Sequence, residues 1–195
     1  LHSFPTRRSS DLAMKDIGEF AFKYCDNLLS ITIPSSMDSL KEGVFHGCIN
    51  LNSLIIKEGL KYIGDSAFEE CTSLTHISIP NSVISIGRSA FQSCSNLISL
   101  KLPTQLTSIN DWVFNICRSL SLVGIPESVT TIGENAFMSC TSLTDISCYA
   151  VNPPTANTNA FTGTSIENVT LHVPAASVDA YKAAEPWSQF KEIKA

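Results

Sequence analysis

Cysteine and histidine are the residue types in this chain that are best suited to chemistry, so their spacing is considered first. Six of the seven cysteines recur at an interval of 23 residues, and each ends the same motif of Ala or Val, Phe, two further residues and Cys. These are Cys25, Cys48, Cys71, Cys94, Cys117 and Cys140. Converging thiolates could ligate a metal ion, and paired thiols could form a disulfide. Metal-binding cysteines, however, typically come as C-x-x-C pairs, which this spacing lacks.

A fixed interval of this length is typical of a solenoid, in which each repeat forms one coil and equivalent residues stack in a column. Strands of neighbouring coils lie about 4.8 Å apart. Adjacent thiols could therefore approach the Cα separation of a disulfide, but parallel side chains do not easily reach its torsion near 90°. We interpret the column as buried free thiols that pack as small hydrophobic residues, with a disulfide or a metal site as the alternatives. Cys148 occupies a position that Ile or Leu fills elsewhere, and it is interpreted as packing too.

The four histidines share no column of the repeat and have no obvious carboxylate or thiolate companion, so we interpret them as surface residues. They are His2, His46, His76 and His172. The sequence contains no G-x-S-x-G motif, P-loop or dinucleotide-binding fingerprint. We therefore expect no enzymatic activity, no cofactor and no catalytic residues.

The elements that must position these residues repeat with the same interval. The residues after each conserved leucine of the repeat alternate between apolar and polar, as in segment 76–79, which predicts one short parallel strand per coil with its apolar side inward. Proline then ends the strand in four coils. A glycine such as Gly87 is expected at a corner that needs unusual backbone angles, although Lys41 and Asn110 occupy this position in two coils. The phenylalanines of the motif are expected in the core at Phe22, Phe45, Phe68, Phe91, Phe114 and Phe137.

The segment CTSLTHISIPNSVISIGRSAFQSC, from Cys71 to Cys94, resembles the repeat of the BspA-like, spirochaete-type leucine-rich repeat proteins. The resemblance extends over about Met14 to Pro174, through six concordant copies. It implies a curved leucine-rich-repeat solenoid with a parallel sheet. Proteins of this family are commonly bacterial cell-surface or secreted proteins that adhere to host proteins or to other cells.

Three segments are predicted. Residues 1–13 are expected to be disordered, because the stretch from His2 to Leu12 resembles a translated sequencing-library adapter, and on this interpretation the natural N-terminus is missing. Residues 14–174 are predicted to form about seven coils of a mainly β solenoid. Residues 175–195 are predicted to form a cap, with Ser177 as the N-cap of a short helix, that covers the last coil.

Composition narrows the range of partners. The chain has no apolar run near the roughly 18 residues of a membrane span, so we expect no membrane insertion. Its formal net charge is -5 and the sequence contains no basic cluster, which argues against nucleic acid.

The outward face of the predicted strands is the surface that remains for recognition. We hypothesise a non-catalytic interaction or adhesion module of a bacterial surface or secreted protein, which binds a protein or glycan, including host-derived ones, through this face. The alternative is a structural spacer with no ligand of its own. The predicted face comprises Ser30, Thr32, Ser53, Ile55, His76, Ser78, Ser99, Lys101, Leu122 and Asp145.

Overall fold

The computed structural model describes residues 16–195 as a solenoid of stacked coils built mainly from short strands. One strand of each coil is three or four residues long. These strands are β1 (Ser30–Ile33), β3 (Ser53–Ile56), β5 (His76–Ser78), β7 (Ser99–Lys101), β9 (Leu122–Ile125), β11 (Asp145–Cys148) and β13 (Thr170–His172). The predicted repeat solenoid with parallel strands is therefore confirmed.

A second, two-residue strand in six coils was not predicted from the sequence. These strands are β2 (Ser39–Leu40), β4 (Tyr62–Ile63), β6 (Ser85–Ile86), β8 (Ser108–Ile109), β10 (Thr131–Ile132) and β12 (Thr155–Ala156). They coincide with the second apolar pair of the repeat, for example Val83 and Ile86, both of which are buried. A two-residue strand is too short to show a clear alternation in sequence.

Parallel strand pairing joins neighbouring coils on two sides of the solenoid, one formed by the longer strands and one by the shorter strands. The longer strands form a two-stranded sheet of β1 and β3 and a larger sheet that runs from β5 through β7, β9 and β11 to β13. The shorter strands form two sheets, β2-β4-β6 and β8-β10-β12. Register follows the repeat, so that Ser99 lies opposite Leu122 and Leu122 lies opposite Asp145.

Phenylalanine rings form the centre of the core. Consecutive rings from Phe22 to Phe161 are stacked, with centroids 5.3–5.9 Å apart. Phe45, Phe68 and Phe91 are completely buried, whereas Phe22 in the first coil is only partly covered. Because aromatic rings at this spacing add to the energy of simple burial, the column ties each coil to the next.

In the six coils from Phe22 to Phe137, the turn that carries the phenylalanine contains left-handed residues two positions before and two positions after the ring. In one coil these are Ser66 and Glu70 on either side of Phe68, with φ of 52° and 60°. The amides of all three donate to carbonyls of the next coil at 2.8 Å. The unusual backbone angles of this fold therefore lie in the turn around the phenylalanine.

The repeated glycines serve a different purpose from the one predicted. Gly64, Gly87 and Gly133 do not have a left-handed φ, so the expectation of unusual backbone angles at this corner is wrong. A Cβ at Gly64 would lie 2.7 Å from the carbonyl oxygen of Leu40, and one at Gly133 would lie 2.6 Å from the amide nitrogen of Asp111. Glycine is needed here because neighbouring coils approach too closely to admit a side chain.

The C-terminal segment closes the end of the solenoid. A 3₁₀ turn at Ile166–Asn168 precedes β13; turns at Ala175–Ser177 and Trp187–Gln189 flank the helix α1 (Val178–Lys182), and the chain ends in β14 (Glu192–Lys194). β14 pairs in parallel with β13 and becomes the last strand of the larger sheet, which was not predicted. The tail therefore extends the sheet as well as covering its end.

Side chains of the cap fill the space above the last coil. Tyr181 and Trp187 are completely buried. The Tyr181 hydroxyl donates to the carbonyl of Ala150, and the Trp187 indole donates to that of Pro154, both at 2.8 Å. Ser177 does precede α1, but its side chain makes no capping hydrogen bond, so its predicted capping role is wrong.

Candidate functional site

The parallel register lines up the predicted binding residues in two columns on the outward side of the longer strands. Seven of the ten side chains are exposed, and three, Thr32, Ser99 and Asp145, are half-buried. In the first column Ser30 lies opposite Ser53, and in the second Thr32 lies opposite Ile55. The predicted alternation of inward and outward residues thus agrees with the structure, while binding by these residues stays a prediction.

The face is divided rather than continuous. β3 belongs to the two-stranded sheet and β5 to the larger one, and a shallow cavity of about 290 Å³ lies at this division. Its lining residues are Leu54, Ile55, Ile56, Glu58, Ser78 and Pro80. The Glu58 carboxylate spans the two coils by accepting the amides of Asn81 and Ser82, at 3.3 and 3.1 Å. Ile55 and Ser78 therefore border a depression that the sequence did not reveal.

Two large apolar side chains stand out on the face. Ile55 is 55% exposed and Leu122 is 52% exposed, although each lies beside a buried neighbour in its own strand. Most other residues of the two columns are small and polar. A wide sheet surface with a few apolar projections suits broad, shallow contact better than enclosure of a small molecule.

The outward face continues past the predicted residues into the C-terminal strands. Thr170 and Glu192 extend the first column, and His172 and Lys194 extend the second. Sequence reasoning missed this continuation because the interval lengthens to 25 residues between Asp145 and Thr170 and because β14 has no counterpart in the repeat. The alternating pattern of segment 169–173 was the available signal.

Two histidines have carboxylate partners, so the prediction that they lack companions is wrong. His172 Nε2 lies 3.3 Å from Asp145 Oδ1 on the outward face. Hydrogen bonds from Thr144 and then His172 hold the pKa of Asp145 below its ordinary value. This pair is separated by 27 residues in sequence and forms only when the longer last repeat is stacked.

The second histidine pair lies away from the outward face, in the column that follows the phenylalanines. His46 Nδ1 lies 3.3 Å from Glu69 Oε2, and both side chains are largely buried. Gln92 Nε2 donates to Glu69 at 2.6 Å, and Asn115 Nδ2 donates to Gln92 at 3.3 Å. This row links four coils by side-chain hydrogen bonds. Within residues 16–195, no group of three or more His, Cys, Asp or Glu side chains is arranged to hold a metal ion.

The cysteine column is a ladder of hydrogen bonds as well as a packing position. Each buried thiol donates to the carbonyl of the phenylalanine in the preceding coil, at 3.1–3.3 Å. Cys94 Sγ, for example, donates to the Phe68 carbonyl at 3.2 Å. In the last coil the Thr164 hydroxyl takes this position and donates to Phe137 at 2.6 Å. All seven cysteines are free thiols.

Burial makes these thiols poor nucleophiles. It raises the pKa of Cys48 to about 11 and that of Cys94 to about 12, from an ordinary value of 9.0. A thiol nucleophile reacts as the thiolate, and these groups stay protonated at neutral pH. The column that first suggested metal or disulfide chemistry therefore acts as a set of hydrogen-bond donors that fix one coil against the next.

Among residues 16–195, no helix has the length and apolar character needed to cross a bilayer. Comparison with solved structures finds leucine-rich repeat proteins of bacteria. One from T. pallidum is 28% identical, with a TM-score of 0.54, over 66% of this chain and 71% of that one. One from Bacteroides ovatus is 21% identical, with the same TM-score, over 91% of this chain and 63% of that one.

The chain thus spans less than two thirds of the length of the Bacteroides ovatus protein. Comparison with curated proteins gives no match. The family described as "BspA type Leucine rich repeat region" matches residues 15–144 and 63–182 in six copies. Since the match extends from residue 15 to residue 182, well over half of the chain, the chain belongs to the BspA-type leucine-rich repeat family.

Proposed function

We propose that this chain is a non-catalytic interaction module of a bacterial surface or secreted protein, and that it binds a protein or glycan, including host-derived ones, through its outward strand face. The role as an interaction module is supported by the family, since BspA-type leucine-rich repeats are typical of protein-interaction modules. The observation that supports the binding face is the exposure of Ile55 and Leu122 on a strand face whose other outward residues are mostly small.

The geometry supports a partner with an extended contact surface. Ile55 on β3 and Leu122 on β9 are separated by three strand intervals, which corresponds to about 14 Å or more. Each could enter a pocket of a partner. The outward residues of the strands between them are Ser78 and Ser99, which are small and allow close approach, and His76 and Lys101, which can supply polar contacts. Few residues of an interface usually supply most of the binding energy, and buried apolar anchors are common among them.

Attachment to the bacterial surface is supported by the family resemblance alone. Surface proteins of this kind present their repeats to other cells or to soluble proteins. The proposal therefore concerns what the solenoid contacts, and it is independent of how the protein is retained at the surface or released from it.

The test compares two variants with four glutamate substitutions each. The face variant changes Ser53, Ile55, Ser78 and Ser99 to Glu, and the control variant changes Tyr62, Ile84, Thr107 and Thr130 to Glu on the side of the shorter strands. Both add four negative charges, and each set includes one exposed isoleucine. Circular dichroism first establishes that both variants keep the fold and melting temperature of the wild type.

The three proteins are then applied to printed arrays of mammalian extracellular proteins and of glycans. We expect the wild type and the control variant to bind the same spots and the face variant to lose them. Equal binding by the face variant would show that the outward face is not the site. Absence of binding by the wild type on both arrays would favour the structural spacer.

A further inference from the structure

The outward face has a gap at Gly124 on β9. Every other residue of the second column from Thr32 to Ser147 carries a side chain. A Cβ built at Gly124 would have one neighbour within 4 Å, Cε2 of Tyr149 at 3.7 Å. Tyr149 follows the end of β11 and is 59% exposed. The tyrosine ring thus lies beside Gly124 on the outward side and is not packed into the core.

Three further groups surround this gap. Lys101 on β7 and Ser147 on β11 are the register partners of Gly124 on either side. Leu122 precedes Gly124 by two residues and projects from the same face with 52% of its surface exposed. The Gly124 position is therefore bordered by an aromatic and an aliphatic group together with an ammonium and a hydroxyl.

The polar groups that border Gly124 are free to bind a ligand. Within residues 16–195, neither the Lys101 ammonium nor the Ser147 hydroxyl has a hydrogen-bond or ion-pair partner in the protein. Asp145 lies two residues before Ser147, and its carboxylate contacts His172 at 3.3 Å. An ionised carboxylate beside a histidine can still accept hydrogen bonds from a hydroxyl-bearing ligand. The cation lies on the β7 side of the gap and the anion on the β11 side.

We propose that the gap at Gly124 is a subsite for an acidic pyranose sugar, such as a uronic acid or a sialic acid. The Tyr149 ring and Leu122 contact the C–H face of the sugar ring, the Lys101 ammonium binds its carboxylate, and Ser147 and Asp145 bind its hydroxyl groups. This inference rests on the proposed function, because it requires the outward face to be a recognition surface, and it adds the chemical class of one ligand.

The chemistry of a sugar acid matches this combination of groups. An aromatic ring presents a broad apolar surface at little cost in conformational entropy, which suits the C–H face of a pyranose. An amine that is not already paired can bind a carboxylate, and the hydroxyls of the sugar need both donors and acceptors. An acidic peptide could use Lys101 but has no ring to place against Tyr149, so it serves as a contrast in the test.

Because the site is open and its charged groups are in contact with solvent, each contact contributes little to the binding free energy. We expect a dissociation constant on the order of 1 mM for a single sugar, corresponding to about -4 kcal/mol. Protein-observed NMR titration suits this range. The probes are 3′-sialyllactose, a glucuronic acid disaccharide, neutral lactose and a tetraglutamate peptide.

The variants separate the apolar and the charged contribution. Y149A is expected to weaken binding of the acidic sugars about tenfold, the equivalent of 1.4 kcal/mol, whereas Y149F keeps the ring and stays within about twofold of the wild type. K101Q is expected to remove the preference for acidic over neutral sugar. Y62A removes another exposed tyrosine, on a shorter strand, and is expected to leave binding unchanged.

Chemical-shift changes at Gly124, Ser147 and Lys101 with one of the two acidic sugars, with the affinity reduced about tenfold in Y149A, would support the subsite. Any of three results would overturn it. The first is absence of such changes at sugar concentrations up to 20-fold above the expected dissociation constant, on the order of 20 mM. The others are equal effects of Y149A and Y62A on sugar binding, and binding of the tetraglutamate peptide as strong as that of the sugars. The array experiment stays a separate test: if the face variant loses array binding while no acidic sugar binds at Gly124, only the subsite fails.

Discussion

The interior and the outward face of this solenoid differ in how strictly they repeat. Inside, each coil places a phenylalanine on a phenylalanine, and five thiols in succession donate to equivalent carbonyls. Outside, the first column changes from His76 to Ser99 to Leu122 over neighbouring strands. The difference shows that stacking constrains the inner positions, because every coil must fit the next, whereas solvent accepts almost any side chain on the outer positions.

The last coil shows which property of the inner position matters. Thr164 replaces cysteine there, yet its hydroxyl keeps the bond to the phenylalanine carbonyl of the preceding coil. It also accepts the amide of Cys140 at 2.9 Å. The requirement is therefore a small buried donor at this position, which cysteine meets in most coils and threonine meets in one.

Removal of one ring from the phenylalanine column should have the largest effect on the interior. Phe91→Ala leaves a cavity between the rings of Phe68 and Phe114, and is expected to lower the free energy of unfolding by about 3–5 kcal/mol. For a chain of this size this corresponds to a fall in melting temperature of about 6–20 °C, measured by differential scanning calorimetry. Tyr62→Ala removes a half-exposed ring and should change it by less than about 2 °C; equal shifts would refute the assignment of the column.

Alkaline pH should destabilise the fold through the thiols. The unfolded cysteines lose their protons near pH 9, whereas burial raises the folded pKa of Cys48 to about 11 and of Cys94 and Cys140 to about 12. Between these pKa values the unfolded state binds fewer protons than the folded state. The contribution of the thiols to the free energy of unfolding is therefore fully present below about pH 9 and is lost as the pH rises toward 12. We expect the melting temperature, measured under reducing conditions, to fall from pH 9 to pH 11; a constant or rising value would contradict buried, protonated thiols.

Substitution of one thiol by isosteric residues should give the smallest effect. Cys94→Thr keeps a donor for the Phe68 carbonyl, as Thr164 does for Phe137, whereas Cys94→Val has nearly the same shape as threonine and no donor. The threonine variant is expected to be more stable by about 0.5–1.5 kcal/mol in urea unfolding. If the valine variant is the more stable of the two, the thiol contributes through packing alone.

Repetition decided how much of the structure the sequence could reveal. The coil interval, the inward side of each longer strand and the phenylalanine core could all be predicted, because six copies report the same constraint. The role of Gly64 could not, because a close approach of two coils leaves the same sequence signal as a left-handed turn. The strand β14 and the pair of Asp145 with His172 occur once, and a single occurrence gives no pattern to recognise.

The candidate site was predicted only in outline. Alternation in the strands assigns Ile55 and Leu122 to the outward side, but it carries no information about the cavity between β3 and β5, which arises where the ladder of the larger sheet stops. Likewise, Gly124 reads as one more small residue until Tyr149, 25 residues later, is placed beside it. Features formed between coils of different sequence depend on the three-dimensional stack.

The central claim is that inner positions specify the fold and outer positions are free for recognition. Two adjacent residues of β9 test this claim most directly. Leu122 is 52% exposed and Val123 is 3% exposed, so Leu122→Asp and Val123→Asp place the same charge on opposite sides of one strand. Calorimetric melting of the two variants should show Leu122→Asp within about 2 °C of the wild type, and Val123→Asp lower by about 8 °C or more, because an unpaired charge is buried at a cost of about 4 kcal/mol or more. Similar melting temperatures for the two variants would contradict the account.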